Sequence, residues 1–231
     1  MNTHSGHRQR LDKKVRDFGL EMLEPHEQLE FLLFAVLPQG DTNELAHRLL
    51  KKYVTISGVV NADPRELMKI EGVGRRCAMF LSSLPQLLGI VERSIKFDLP
   101  SVLDSYEKIE AFVKTYFYGK LTEAAYVISL NSSCRLLSVS PVSKGAKGEI
   151  YIYPDQLVRQ AILDNASMVI VAHNHPCGNI NPSAADVKLS RELARAFDAV
   201  DIIFADSIIV SGTQVYSLRE KGYLKGFERD F

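Results

Sequence analysis

Paired cysteines are missing from this sequence. Cys77, Cys134 and Cys177 are an odd number at unrelated spacings, so they offer no disulfide framework. The N-terminus also lacks the basic region and apolar run of a secretory signal, which sets a reducing cytosol as the expected compartment. Apolar stretches break within about ten residues, against the roughly twenty needed to cross a bilayer, so an integral membrane protein is excluded. Nor is there an excess of charge of either sign, because 28 Lys and Arg balance 28 Asp and Glu. The whole-chain field therefore argues for neither nucleic acid nor an anionic membrane, and any such partner must be carried by local residues. Internal repeats and low-complexity blocks are absent too. What is present, 231 residues of which 46% are hydrophobic and 24% charged, suffices for one large buried core or two small ones.

The chain changes character along its length. Residues 1–22 carry Arg8, Arg10, Lys13, Lys14 and Arg16 against Asp12 and Asp17 with no apolar periodicity, which predicts a mobile basic arm. Residues 23–97 read as an all-α region. "EQLEFLLFAVL" is apolar on most faces, and Asp41 stands three residues before Glu44 as a helix N-cap. Pro85 removes a backbone donor inside "MFLSSLPQLLGIVERS" and is expected to kink or split that helix. Residues 98–104, with Pro100, form the expected linker. From 105 to 231 strands alternate with helices. "YEKIEAFVKTYF" reads as helix, "AAYVISL", "RLLSVS" and "EIYIYP" as strands, and "PDQLVRQAILDNA" as helix. "SMVIVAHNH" is a buried strand, "SAADVKLSRELARAFDAV" a helix, and "IIFADSIIVSG" with "QVYSLRE" a closing pair, so this half is an α/β sandwich.

Chemistry concentrates in "VAHNHPCGNINPSAAD", Val171 to Asp186. Side chains two apart on a strand point the same way, so His173 and His175 can face one metal together. Asp186 opens the following helix on the face of Leu189, Leu193, Phe197 and Val200, which turns its carboxylate inward. Two imidazoles and a carboxylate suit Zn²⁺, and three protein ligands leave a fourth position for water, as in a catalytic site. Ser183 and Asp186 also satisfy the pattern of a helix capping box behind Pro182, a purely structural use of the same residues. Other zinc chemistries fit less well. A nucleobase deaminase needs a glutamate where His175 stands and a second cysteine after Pro176–Cys177, and the helical His-Glu-x-x-His of zincins is absent.

The residues His173, His175, Pro176, Gly178, Pro182, Ser183 and Asp186 resemble the JAMM metalloprotease signature in the variant carried by the RadC family, and the likeness extends from about Ser105 to the C-terminus. It implies a JAB/MPN-type sandwich, a mixed sheet flanked by helices, with one Zn²⁺ per chain on His173, His175 and Asp186. It further implies Ser183 as a stabiliser of the oxyanion and Glu123, at the head of "AAYVISLN", as general base. The activity it implies is hydrolysis of peptide or isopeptide bonds in an unidentified protein or peptide substrate. Three positions depart from the pattern: Cys177 replaces the usual serine, Asp155 a common arginine, and Ser207 a usual histidine. None is a ligand.

In the helical half, "KIEGVGRRCA" has the apolar-x-Gly-apolar-Gly pattern of a helix-hairpin-helix, which RadC-like chains also carry. Such a hairpin aims the backbone N–H groups around Gly72 and Gly74 at a phosphate, with Arg75 and Arg76 as partners, and binds DNA without reading its sequence. The same segment also serves as a plain interhelical turn, and 14 basic against 12 acidic residues over Met1–Phe97 is a thin excess for DNA binding. A second function class stays open on these grounds, a DNA-associated accessory protein of recombination or repair whose zinc site is structural.

Overall fold

The computed structural model describes residues 3–96, 101–142, 152–176 and 178–226, and the chain divides into two units at Leu87/Leu88. The first is helical: α1 (Thr3–Phe18), a 3-10 turn (Leu20–Met22), α2 (Pro25–Phe34), α3 (Thr42–Tyr53), α4 (Ile56–Val60), α5 (Pro64–Leu67) and the first half of α6 (Arg75–Lys96). Asp41 caps α3 as expected, accepting from the Glu44 amide at 3.0 Å. Leu29, Leu33, Leu45, Leu49 and Leu81 form the core of this unit.

Two expectations for this half are corrected. The basic segment is helix α1 rather than a mobile arm. Leu11 is buried, Arg8 Nη2 donates to Leu37 O at 2.7 Å, and His7 Nε2 lies 3.0 Å from Glu30, a buried carboxylate that also accepts from Thr42 and Asn43. One apolar anchor and polar contacts suffice, and neither leaves a periodic signal. Nor does Pro85 split α6, which is one helix from Arg75 to Lys96. Ala78 and Leu81 pack before the proline, and Arg93 Nη1 donates to Thr115 O after it. Tertiary packing on both sides offsets the lost backbone bond.

The second unit is built on a five-stranded sheet of order β2-β1-β3-β4-β5, with β1 (Ala125–Leu130), β2 (Leu136–Pro141), β3 (Met168–Asn174), β4 (Ile203–Ser211) and β5 (Gln214–Ser217). The pairs are antiparallel except β3 with β4, which α9 (Ala184–Asp198) joins as a crossover. One face of the sheet packs on α7 (Tyr106–Phe117) through Phe112, Val113, Ile170 and Ala172. The other packs on α8 (Pro154–Leu163) and α9 through Leu157, Leu193, Phe197, Val169 and Val171. The alternation of β3 thus assigns odd positions, His173 included, to the α8/α9 side.

The expected linker is partly structured. Leu103 is buried and its amide donates to Cys134 O, while Leu136 N donates to Ser101 O, so residues 101–103 pair beside the start of β2. Residues 98–100 lie outside the described residues, as do 149–151 of the strand expected at "EIYIYP"; there Ile152 and Tyr153 are irregular and Pro154 opens α8. No helix among the described residues is long and apolar enough to cross a membrane.

Candidate metal centre

The buried run Val169–Ala172 holds β3 in the middle of the sheet, and His173 and His175 follow where the strand ends. Their Nε2 atoms are 3.1 Å apart. Asp186, in the first turn of α9, places Oδ1 3.3 Å from His173 Nε2 and Oδ2 3.6 Å from His175 Nε2. Donors bound tetrahedrally at zinc distances of about 2.0–2.2 Å sit roughly 3.3–3.6 Å from one another; the histidine–histidine separation is slightly shorter, and the two histidine–carboxylate separations, which end on different Asp186 oxygens, fall in that range. The donor set therefore fits zinc in chemistry and spacing. Among the described residues this is the one His/Cys/Asp/Glu group of three whose donor atoms all lie within 4.8 Å. The side chains are 16–18% exposed, so solvent reaches them from one side.

Local hydrogen bonds orient His175 and Asp186. His175 Nδ1 lies 2.8 Å from Asn179 O. A carbonyl only accepts, so Nδ1 carries the proton and Nε2 presents its lone pair, a tautomer assigned from this geometry. Gly178, with φ +90°, makes the turn that brings Asn179 back, a conformation that resists a side chain. Asp186 Oδ2 accepts from both Ser183 N and Ser183 Oγ at 2.7 Å, while Asp186 N donates to Ser183 Oγ at 3.2 Å. The capping box is real, and it leaves Oδ1 aimed at His173. Burial pushes the Asp186 carboxyl up, but bonds from His173 and Ser183 outweigh it and hold the group well below the usual carboxylate range. It is a charged acceptor.

Glu123 is exposed and stands just ahead of β1. Ala125 pairs with His173 in the register, and Asn174 N donates to Ala124 O at 3.2 Å. Glu123 thus stands two residues ahead of the β1 residue that pairs with His173, at the same end of the sheet as the three donors. It is not itself one of the donors that meet. Of the departures, Asp155 is exposed in the first turn of α8 and Cys177 lies outside the described residues. Ser207 is buried on β4, paired with Val171 two residues before His173. Its amide donates at 2.7 Å to Asp206 Oδ1, whose carboxyl burial pushes up to about 6.

Sequence reasoning missed Asn174 and Asn179. Asn179 acts through its backbone carbonyl, for which a side chain gives no signal. Asn174 Oδ1 accepts from Ala124 N at 2.7 Å, and Nδ2 donates to Thr122 O at 3.2 Å and Lys120 O at 3.4 Å. Its one signal was position, between two histidines and therefore on the opposite face.

In the helical unit, Gly72 has φ +90° in the turn between α5 and α6, and Arg75 and Arg76 open α6. Gly72, Gly74 and both arginines are exposed. Arg48 Nη2 donates to Glu71 O at 3.3 Å and braces the turn.

A mixed sheet with helices on both faces, whose central strand delivers two histidines beside a helix-borne aspartate, defines a JAB-type domain. The family model described as "RadC-like JAB domain" matches residues 103–223, and the chain belongs to that family. It is 30% identical over 214 residues to a UPF0758 protein of Cupriavidus pinatubonensis, covering 92% of this chain and 93% of that one. A UPF0758 protein of Fusobacterium nucleatum is 29% identical over 227 residues, 96% of this chain and 98% of the relative. One from Rhodobacter capsulatus is 29% identical over 206 residues, 89% and 96% of the two chains. These similarities span the helical unit as well as the JAB domain.

Proposed function

We propose that this chain is a zinc-dependent hydrolase of peptide or isopeptide bonds. The observation that carries the reading is the convergence of three partly exposed donors at zinc spacing, two of them oriented by local hydrogen bonds, with Glu123 at the same end of the sheet. Zinc, when bound, supplies a Lewis acid that brings the pKa of water toward neutrality. His173 and His175 would offer their Nε2 atoms, and Asp186 adds the one negative charge of the donor set. The Glu123 carboxylate takes the proton of the attacking water and returns it to the leaving amine. Ser183 Oγ donates to the oxyanion, exchanging its bond to Asp186 Oδ2 for that contact.

The expected composition is one zinc per chain after purification without chelator, lost when His173 and His175 are both changed to alanine. Elemental analysis of the folded protein, paired with a cleavage screen on peptide- and isopeptide-linked substrates, tests the reading. A folded, metal-free wild type, or a zinc-loaded one that cleaves nothing, would sink it.

A second role has its own observation, the exposed Gly72 turn with Arg75 and Arg76 beside it. Backbone amides at such a turn suit phosphate, and sequence-independent DNA contact by the helical unit is the partner we propose there. If DNA binding is present and hydrolysis is not, the chain is a DNA-associated accessory protein with a structural zinc site.

A further inference from the structure

Neither the metal donors nor the core accounts for the asparagine between the two histidines. Strand alternation turns Asn174 to the face opposite His173 and His175, toward α7, where it is 4% exposed. The other β3 positions on that face, Met168, Ile170 and Ala172, are apolar members of the core. A buried amide there must find partners, and Asn174 finds them all on one short stretch. Its Oδ1 takes the Ala124 amide, its Nδ2 reaches the carbonyls of Thr122 and Lys120, and its own amide donates to Ala124 O.

These four bonds clamp residues 120–124, which join α7 to β1 and precede the strand ladder. Glu123 sits between two of the clamped residues. We infer that Asn174 is the positioning residue for Glu123: the His-Asn-His alternation sends two donors to one face and, to the other, the clip that holds the general base beside them. The inference rests on the reading of Glu123 given above. A side chain that only filled space would be cheaper as an apolar one, since burying an amide costs free energy unless its partners are met. Here they are met by backbone groups of an irregular segment.

The test uses the full chain as wild type, Asn174→Ala, Asn174→Thr, Glu123→Gln and the Glu123→Gln/Asn174→Ala double variant. Each is loaded with cobalt(II), and the visible band is followed against pH, because its midpoint reports the charge beside the open coordination position. Amide exchange is read at Ala124, and metal stoichiometry in parallel. Asn174→Thr fills the strand position with a strand-favouring residue if the alanine variant folds poorly.

We expect Ala124 exchange to quicken by about tenfold in the Asn174 variants, the scale of one lost hydrogen bond, with metal stoichiometry unchanged. The cobalt midpoint should move in the same direction in Glu123→Gln and in the Asn174 variants, and no further in the double variant. Purely structural loss would speed exchange and leave the midpoint in place. A wild-type midpoint in both Asn174 variants, or an additive shift in the double variant, overturns the positioning role while leaving Glu123 as base. A wild-type midpoint in Glu123→Gln removes the base itself, and the positioning role with it.

Discussion

Ser183→Ala separates the two uses of the serine. The hydroxyl accepts the Asp186 amide at 3.2 Å as the cap of α9 and donates to Asp186 Oδ2 at 2.7 Å. Deleting it removes an N-cap, worth about 1 kcal/mol, and for a domain of this size that lowers Tm by roughly 2–4 °C. The carboxylate keeps its second anchor, the Ser183 amide at 2.7 Å, so its orientation loosens without being lost. Loss of a partner that orients a ligand typically costs 10–100-fold in metal affinity, which is about 1.4–2.7 kcal/mol. The melt is read in chelator, where only the cap counts, and zinc affinity by competition with a chromophoric chelator. If Ser183 also serves the oxyanion, turnover at saturating zinc should fall by a further ~100-fold or more. An unchanged melt in chelator refutes the cap, and unchanged affinity refutes the orienting bond. A loss of affinity beyond a thousandfold would make Ser183 a ligand, contrary to its place in the capping box.

Glu123→Gln should keep zinc content and Tm near wild type while hydrolysis falls by roughly a hundredfold, the usual share of a positioned base; zinc lost along with activity would make Glu123 a ligand or anchor. Gly74→Asp is the clean probe of the helical turn, because a Cβ there meets nothing within 4 Å, whereas Gly72 holds φ +90° and would be strained. Gel shifts should show weak, salt-sensitive binding to any duplex that drops in the folded variant, and unchanged binding moves the contact elsewhere. Asp206 gives a pH dependence: burial raises its carboxyl to about 6 against its accepted bonds from Ser217 Oγ, Ser207 N and Arg219 N. A raised folded value means that its stabilising contribution is complete below the unfolded value near 3.8 and is lost as pH rises through about 6. Asp206→Asn keeps an oxygen for the two amides and turns an N–H toward Ser217 Oγ. Urea unfolding should therefore find it more stable than wild type by about 1–3 kcal/mol at pH 7.5, with the advantage gone by pH 4, and a pH-independent difference would contradict that account.

What could be read from the sequence was local, and the reason is geometric. His173 and His175 share a face because strands repeat every two residues, and Asp186 turns inward because α9 repeats every 3.6, so all three donors were visible within sixteen residues of chain. The same periodicities delivered the helix Tyr106–Phe117 and the buried strand Met168–Asn174. What stayed hidden depends on single contacts between distant segments. Leu11 and Arg8 dock α1 with no repeat to announce it, residues 101–103 pair beside β2 across some thirty residues of chain, and α6 survives Pro85 through Thr115. Asn174 belongs to this second kind, since its side-chain partners lie fifty or more positions earlier and are backbone atoms. The candidate site is therefore half legible. The three candidate donors follow from the period of the elements that carry them, while Glu123, the proposed base, comes from a different segment, and the contacts that Asn174 makes with that segment are long-range.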